Sequence, residues 1–236
     1  MTPRVAILDY GCGNLASVVN AVRKVGGEPF LTTDPVHCVN ERPTHYILPG
    51  QGHYGTAMET LTSQGWIDFL RGPQGDLLRP NRPILGICLG MQLMCESSEE
   101  APGVPGLGWI PYKVERLKAQ RLPHVGWNRV YWERLDCFEG DLRRAHPSGD
   151  YYFCHSYGVP ADNPGSGYME PRRGCHYGVT EIEGSEPRPP VQAHLLGNRE
   201  HYFMAAIQQG NLWATQFHPE KSGKAGLEFL REFLKL

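Results

Sequence analysis

The sequence predicts an α/β fold: a central, mostly parallel sheet with helices on both faces, and an antiparallel strand region toward the C-terminus. Three observations carry this. The first half alternates strand-like apolar runs with segments of helical period. Those runs are continuous rather than alternating with polar residues, as in strands covered on both faces. The second half changes to short strand-like pieces joined by turns, one of them a hairpin.

Taken in order, "VAILDY" (5–10) is an apolar run that ends at glycines, the mark of a buried strand. Leu15, Val18, Val19 and Val22 follow at helical spacing, and Gly26-Gly27 stops that helix. "EPFLTT" (28–33) and "THYILPG" (44–50) read as further strands, with helices expected over about 53–63 and 66–71. "PILGIC" (83–88) is another buried strand, followed by a helix from about Leu89 to Ser97. "WIPYKVERL", "RVYWERL", "YYFCHSYGV" and "HYFMAAIQQGNLWATQF" supply the later strands, the last turning at Gln209-Gly210-Asn211. A closing helix is expected after Ser222 as N-cap, burying Leu227, Leu230, Phe233 and Leu234. Residues 181–201 are polar and proline-rich and read as a long loop. No repeat or linker divides the 236 residues, so one domain over 1–236 is expected.

Composition narrows the class. A net charge of −2 gives no reason to expect a nucleic-acid or anionic-membrane surface. No apolar run approaches the ~20 residues that span a bilayer. "MTPRVAILDY" reaches Asp9 early and lacks a signal-peptide core, so a cytoplasmic protein is expected. The seven cysteines are odd in number and show no C-x-x-C pair, which argues against a disulfide framework. Cys154-His155 and Cys175-His176 resemble metal ligands, but adjacent strand residues point to opposite faces, so no metal site is expected.

Two glycine-framed turns bear on chemistry. "DYGCGNLA" places Gly11, Gly13 and Ala16 between a strand and a helix, with Asp34 about 20 residues on, as in a dinucleotide site. Glycines at a strand–helix turn are common, so the pattern reads first as a tight turn whose backbone approaches something closely, or as a partner contact. "GICLGMQ" sets Cys88 between Gly86 and Gly90 at a strand-to-helix turn, the nucleophile-elbow pattern with cysteine for serine. Such a turn lifts the side chain above the sheet edge and puts its sulfur at a helix N-terminus, which favours the thiolate. Taken alone, Cys88 reads equally as a small buried hydrophobe; Cys95, in an apolar run, reads as packing.

A nucleophile needs a base, and the base an orienting group. In "ATQFHPEKSG" a strand ends at His218, Pro219 breaks the ladder, and Glu220 lies two residues beyond, within reach of one ring nitrogen. The order Cys, His, Glu differs from that of α/β-hydrolases. Oxyanion donors are expected from the Leu89 N–H and from "LPGQG" (48–52), at Gly52.

Together, "LPGQG", "GICLGMQ" and "QFHPEKS" resemble the class I, or triad, glutamine amidotransferases. "DYGCGNLASV", "LPHVGWN" (122–128), "YYFCHSY" (151–157) and "HPEKSG" narrow the resemblance to the glutaminase subunits of imidazole glycerol phosphate synthases. It runs from about residue 4 to the C-terminus. It implies a flavodoxin-like three-layer fold and glutamine hydrolysis with Cys88 as nucleophile, His218 as acid and base, and Glu220 orienting it. It also implies glutamine binding by Gln92, His155, Ser156 and Tyr157, and no metal or organic cofactor. The partner it implies is a (β/α)₈-barrel cyclase subunit in a heterodimer, faced by Asn14, Trp127, Asn128 and Lys221. In that family the glycine loop faces the partner rather than a nucleotide, and the glutaminase is nearly silent until the partner is bound and loaded, with Pro49–Gly52 as the switch. Gln51 stands where the family often has valine, and the 181–201 loop is longer than the family pattern.

Other readings are a glutaminase feeding an anthranilate or pyridoxal phosphate synthase, a nucleotide-binding oxidoreductase, and an interaction subunit that has lost catalysis. "PHVGWN" and "QFHPEKS" argue against the first, and intact Cys88, His218 and Glu220 against the last.

Overall fold

The protein, in a computed structural model, is described over residues 1–71, 82–119, 121–134, 149–161, 175–181 and 202–236; of 133, 134, 175–179 and 181 only the backbone course is described. The first half runs β1 (Arg4–Leu8), α1 (Leu15–Lys24), β2 (Glu28–Thr32), α2 (Pro35–Asn40), β3 (His45–Leu48), α3 (Tyr54–Ser63), α4 (Trp66–Arg71), β4 (Ile84–Ile87) and α5 (Leu89–Met94). The second half is strand-rich: β5 (Cys95–Ser98), β6 (Ile110–Arg116), β7 (His124–Arg134), β8 (Gly149–His155), β9 (Tyr157–Gly158), β10 (Cys175–Glu181), β11 (Tyr202–Gln209) and β12 (Leu212–Thr215). A 3-10 turn over Pro219–Lys221 leads into α6 (Gly223–Phe233).

Both halves contribute to one nine-stranded sheet, in the order β2-β1-β3-β4-β12-β11-β10-β7-β8. The strands β2, β1, β3, β4 and β12 are parallel. From β12 outward each pairing is antiparallel. A smaller sheet joins β5, β6 and β9.

Side chains alternate across the parallel strands, and the central stretches covered on both faces are apolar. Ala6, Leu8, Tyr46, Leu48 and Ile84 pack on one face with Leu61 of α3, Trp66 of α4 and Met91 of α5. Val5, Ile7, Ile47, Leu85 and Ile87 pack on the other with Val18 and Val22 of α1 and with Phe229, Leu230 and Phe233 of α6. The result is three layers, helix–sheet–helix.

The helix after Cys88 ends at Met94 instead of Ser97, because Cys95 turns extended and pairs with Ile110 of β6. The carbonyls of Leu93, Met94 and Cys95 accept from Leu107, Trp109 and Gly108 rather than from a continuing helix. Cys95 therefore heads a strand; it is fully buried, as a packing residue should be, and burial pushes its thiol well up. The segment "LPHVGWN" is largely strand, since β7 starts at His124, and α2 and β10 have no counterpart in the periodicity reading. In α6, Leu227 is only partly buried and Phe229 fills that place. Ser222 stands at the N-cap of α6 but makes no side-chain cap; its hydroxyl is engaged elsewhere. The loop expected at 181–201 lies, beyond Glu181, outside the described residues, as do Cys137 and the side chains of Cys175 and His176.

Among the described residues no helix is long and apolar enough to cross a membrane. No group of three or more His, Cys, Asp or Glu among them is placed to hold a metal ion. In β8, Cys154 is exposed while its neighbour His155 is buried, as alternation requires.

Candidate active site

The parallel pairing of β12 with β4 builds the site. Its register sets Thr215 opposite Ile87, and Cys88 N–H donates to the Thr215 carbonyl at 2.7 Å. The residues that follow each strand, Cys88 on one and Gln216 to His218 on the other, therefore emerge side by side.

Cys88 has φ 54° and ψ −108°, a left-handed conformation unusual for a side chain with a Cβ. The surrounding glycines allow it. A Cβ at Gly86 would stand 2.7 Å from Met94 Sδ and 2.9 Å from the backbone of Gly90 and Met91. A Cβ at Gly90 would overlap the Leu48 carbonyl oxygen of β3. Helix α5 therefore packs backbone to backbone on the sheet, and the turn that holds Cys88 is as tight as the G-x-C-x-G spacing predicts.

His218 is hydrogen-bonded through Nδ1 to Glu220 Oε1 at 2.8 Å, with both side chains buried. Cys88 is the ring's other electrostatic partner, and it acts in the same direction as Glu220. Burial by itself would lower the His218 pKa; the hydrogen bonds and charges of Cys88 and Glu220 outweigh it and raise the pKa to about 9. The ring is a cation at neutral pH, beside the sulfur.

The backbone under the histidine is stapled. His218 N–H donates to the Tyr152 carbonyl of β8 at 2.9 Å. Ser222 Oγ donates to the His218 carbonyl at 2.6 Å and accepts from Tyr152 N–H at 3.0 Å. This engagement is why Ser222 does not cap α6, a role the sequence reading missed.

The "LPGQG" strand lies against the elbow. The close approach is at Gly50, where a Cβ would stand 2.8 Å from Leu89 Cβ and 2.6 Å from the Tyr10 hydroxyl. That hydroxyl donates to the Pro49 carbonyl at 2.7 Å, and Tyr10 is fully buried. Gly52 has φ +110° and open space around its Cα, in an exposed stretch with Gln51 and His53. Gly13 of the first glycine loop faces Gly50 and Gln51, a Cβ there lying 3.6 Å from Gly50 N. The acid that a dinucleotide would need, Asp34, is instead a helix cap, its carboxylate accepting from Val36 N–H at 2.8 Å.

Of the residues expected to hold substrate, Gln92 is buried beside the site, its Nε2 donating to the Tyr157 carbonyl at 2.7 Å. His155 is buried among His124, Phe153 and Phe203, with its Nδ1 on the Tyr157 carbonyl at 2.8 Å. Burial lowers its pKa to about 3, against the Tyr157 hydrogen bond and helped by His124 and His218, so its ring is neutral. Ser156 gives its carbonyl to Leu117 N–H at 3.0 Å. Gln216, which the sequence reading passed over, is fully buried and donates from Nε2 to Cys88 Sγ at 3.6 Å. Its signal was its place two residues before His218 on an extended segment, hence on the same side.

Four further residues expected at a partner surface divide between two places. Trp127 is 58% exposed, with its ring 6.0 Å from that of Tyr152. Lys221 Nζ lies 5.9 Å over the same Tyr152 ring, which is itself 6.4 Å from His218. Asn128 stands next to Trp127 on β7, opposite Tyr151. Asn14 is exposed at the N-cap of α1, its side chain accepting from Ser17 N–H.

Comparison with known proteins adds an independent line. The family profile described as glutamine amidotransferase class-I matches residues 6–236. Imidazole glycerol phosphate synthase subunit HisH of Thermococcus kodakarensis is 38% identical over 234 residues, covering 98% of this chain and 100% of the relative. The HisH subunit of Corynebacterium glutamicum is 36% identical, covering 99% of both chains. Imidazole glycerol phosphate synthase hisHF of Emericella nidulans is 39% identical over 98% of this chain, which spans only 38% of that longer relative. A solved structure described as a glutamine amidotransferase superposes with a TM-score of 0.65 at 18% identity, covering 98% of this chain and 99% of the other; it speaks to the fold.

Proposed function

The chain belongs to the class I glutamine amidotransferase family, and from that premise we propose that it hydrolyses glutamine to glutamate and ammonia at Cys88, His218 and Glu220. The observation that carries this reading is the buried line from Glu220 through His218 to Cys88. The Cys88 sulfur attacks the side-chain carboxamide carbon of glutamine, the attacking form being the thiolate. The N–H groups of Leu89 and Gly52 hold the oxyanion. The imidazolium of His218 gives its proton to the departing amine, which leaves as ammonia, and a glutamyl thioester remains. His218, now neutral, takes a proton from water as it attacks the thioester, and glutamate leaves with the Cys88 sulfur restored. Glu220 holds Nδ1 throughout. Gln92, His155, Ser156 and Tyr157 line the substrate side. Residues 1–236 act as one amidotransferase domain, since one sheet carries strands from both halves.

This line has a pH signature. His218 keeps its proton to about pH 9, so glutaminase kcat/KM is expected to fall above that pH. Glu220→Gln removes a group that raises the His218 pKa, so the alkaline limb moves to lower pH and the rate falls; an unmoved limb contradicts the role given to Glu220. Because the folded pKa is raised above the ordinary 6.5, the pair's contribution to stability is full below that value and is lost as pH rises through about 9.

The ammonia passes to a cyclase subunit, a (β/α)₈ barrel that forms a heterodimer with this chain and makes imidazole glycerol phosphate and aminoimidazole carboxamide ribotide in histidine biosynthesis. The names of the relatives support this. So does the exposed Trp127, an interface-type residue that shares the Tyr152 ring with Lys221 close to His218. Asn128, next to Trp127 on β7, belongs to that surface, and Asn14, at the N-cap of α1, is a second contact point for the partner. The work is cytoplasmic, in keeping with the free thiols of Cys12, Cys38, Cys88, Cys95 and Cys154.

The deciding experiment is a glutaminase assay with and without the cyclase subunit and its nucleotide ligand. The isolated chain is expected to be slow and the loaded complex faster by orders of magnitude. A fast isolated chain would overturn the gating, and no hydrolysis in either state would overturn the function.

A further inference from the structure

Cys88 is held by more than the triad. Besides its electrostatic coupling to His218, its sulfur lies 3.6 Å from Gln216 Nε2 and 4.0 Å from the Cys154 carbonyl oxygen. The other end of the Gln216 amide accepts from Gln92 Nε2 at 3.0 Å, and that nitrogen also donates to the Tyr157 carbonyl at 2.7 Å. Both glutamines are buried.

This line runs in one direction only. A peptide carbonyl accepts and cannot donate, so the end of Gln92 that faces Tyr157 is its NH₂. The same nitrogen meets Gln216, which must therefore present its oxygen there and its NH₂ to the sulfur. A backbone carbonyl on β9, two side chains away, sets which way the Gln216 amide points.

We propose that Gln216 is a positioning residue for Cys88, its N–H holding the sulfur in place and favouring the thiolate. The anchor through Gln92 to Tyr157 ties that hold to groups assigned to substrate. A donor to a thiolate is a charge-assisted hydrogen bond, stronger than one to a neutral thiol, so it favours the charged form. Being neutral, the amide does so without competing with the His218 cation. In a buried setting little water is available to replace it. The proposal rests on the glutaminase reading for its purpose, though not for its test.

The test is the pH dependence of Cys88 alkylation by iodoacetamide, read on the Cys88 peptide by mass spectrometry, since Cys154 is exposed and Cys12 partly so. Among the described residues the titratable groups coupled to this sulfur are His218, with Glu220 behind it, and Tyr10 just beyond β1; the methionine variants leave all of them in place, and Gln216→Glu adds a carboxylate beside them. Gln216→Met removes the donor at similar length, and Gln216→Glu replaces it with an acceptor. Both are expected to move the alkylation midpoint to higher pH, with alkylation at neutral pH about tenfold slower for each pH unit moved, and Gln216→Glu to move it further. Glutaminase kcat should fall with KM little changed. An unmoved midpoint in folded variants overturns the proposal, even if glutaminase is lost. Should neither variant fold, Gln92→Met leaves Gln216 in place without its anchor; its midpoint is also expected to rise, and an unmoved one overturns the proposal. If the unaltered protein fails to hydrolyse glutamine, the functional reading falls while the alkylation profile still decides this one.

Discussion

Cys88→Ala is expected to abolish glutaminase activity while Cys95→Ala keeps most of it. The two residues are seven apart and both are buried. Of the two, only Cys88 meets a cation, His218, on one side and an amide donor, Gln216, on the other. Loss of a triad nucleophile costs on the order of 10⁶ in kcat. Among the described residues the Cys95 sulfur sits in an apolar cluster and donates to the Met91 carbonyl at 3.5 Å. Its truncation removes one sulfur from the core, about 1–2 kcal/mol of stability at most, with the chemistry left in place. Activity measured at a temperature where both variants are folded separates these effects. Equal losses in the two variants would remove Cys88 from its role.

Gly90→Ala is the second large effect, and it acts on fold and activity together. The added methyl would point at the Leu48 carbonyl of β3, a backbone group with no rotamer to change. Overpacking at such a point costs roughly 3 kcal/mol or more, because α5 must move off the sheet as a unit. That movement carries Cys88 and the Leu89 N–H with it, and a displacement near 1 Å can lower the rate by about 100-fold. The expected result is a lowered thermal midpoint together with a kcat loss that persists well below it. A variant of wild-type stability and rate would show that the elbow tolerates the methyl. Gly52→Ala is a useful contrast, since nothing lies near a Cβ there, although its φ of +110° leaves the backbone strained.

The elements legible in the sequence are those whose hydrophobic pattern answers to local burial. Beyond their first residues the strands β1, β3 and β4 are apolar because each is covered on both faces, and α1 shows its period because one side meets the sheet. What periodicity could not show is structure made by distant partners. The helix after Cys88 was expected to reach Ser97, but β6 recruits Cys95 into a strand and ends it at Met94. A serine before a helix usually caps it, but the Ser222 hydroxyl ties the histidine turn to β8. Asp34 fitted a nucleotide site by spacing and serves a six-residue helix too short to show a period.

The candidate site divides along the same line. The sequence by itself determined which residues are the candidates for chemistry: a cysteine framed by glycines, a histidine at a strand end, a glutamate two residues on. These are local features, set by turn sterics and by the reach of one side chain to its near neighbour. Only the tertiary structure decided that they meet, through the parallel register that sets Thr215 opposite Ile87 across about 130 residues of chain. It alone raised the His218 pKa to about 9, since that shift needs Cys88 and Glu220 in a buried place. It alone brought Gln216, Gln92 and Tyr157 into one line ending at the sulfur. The physical reason is that register and burial are sums over many strand pairings, which no single motif contains.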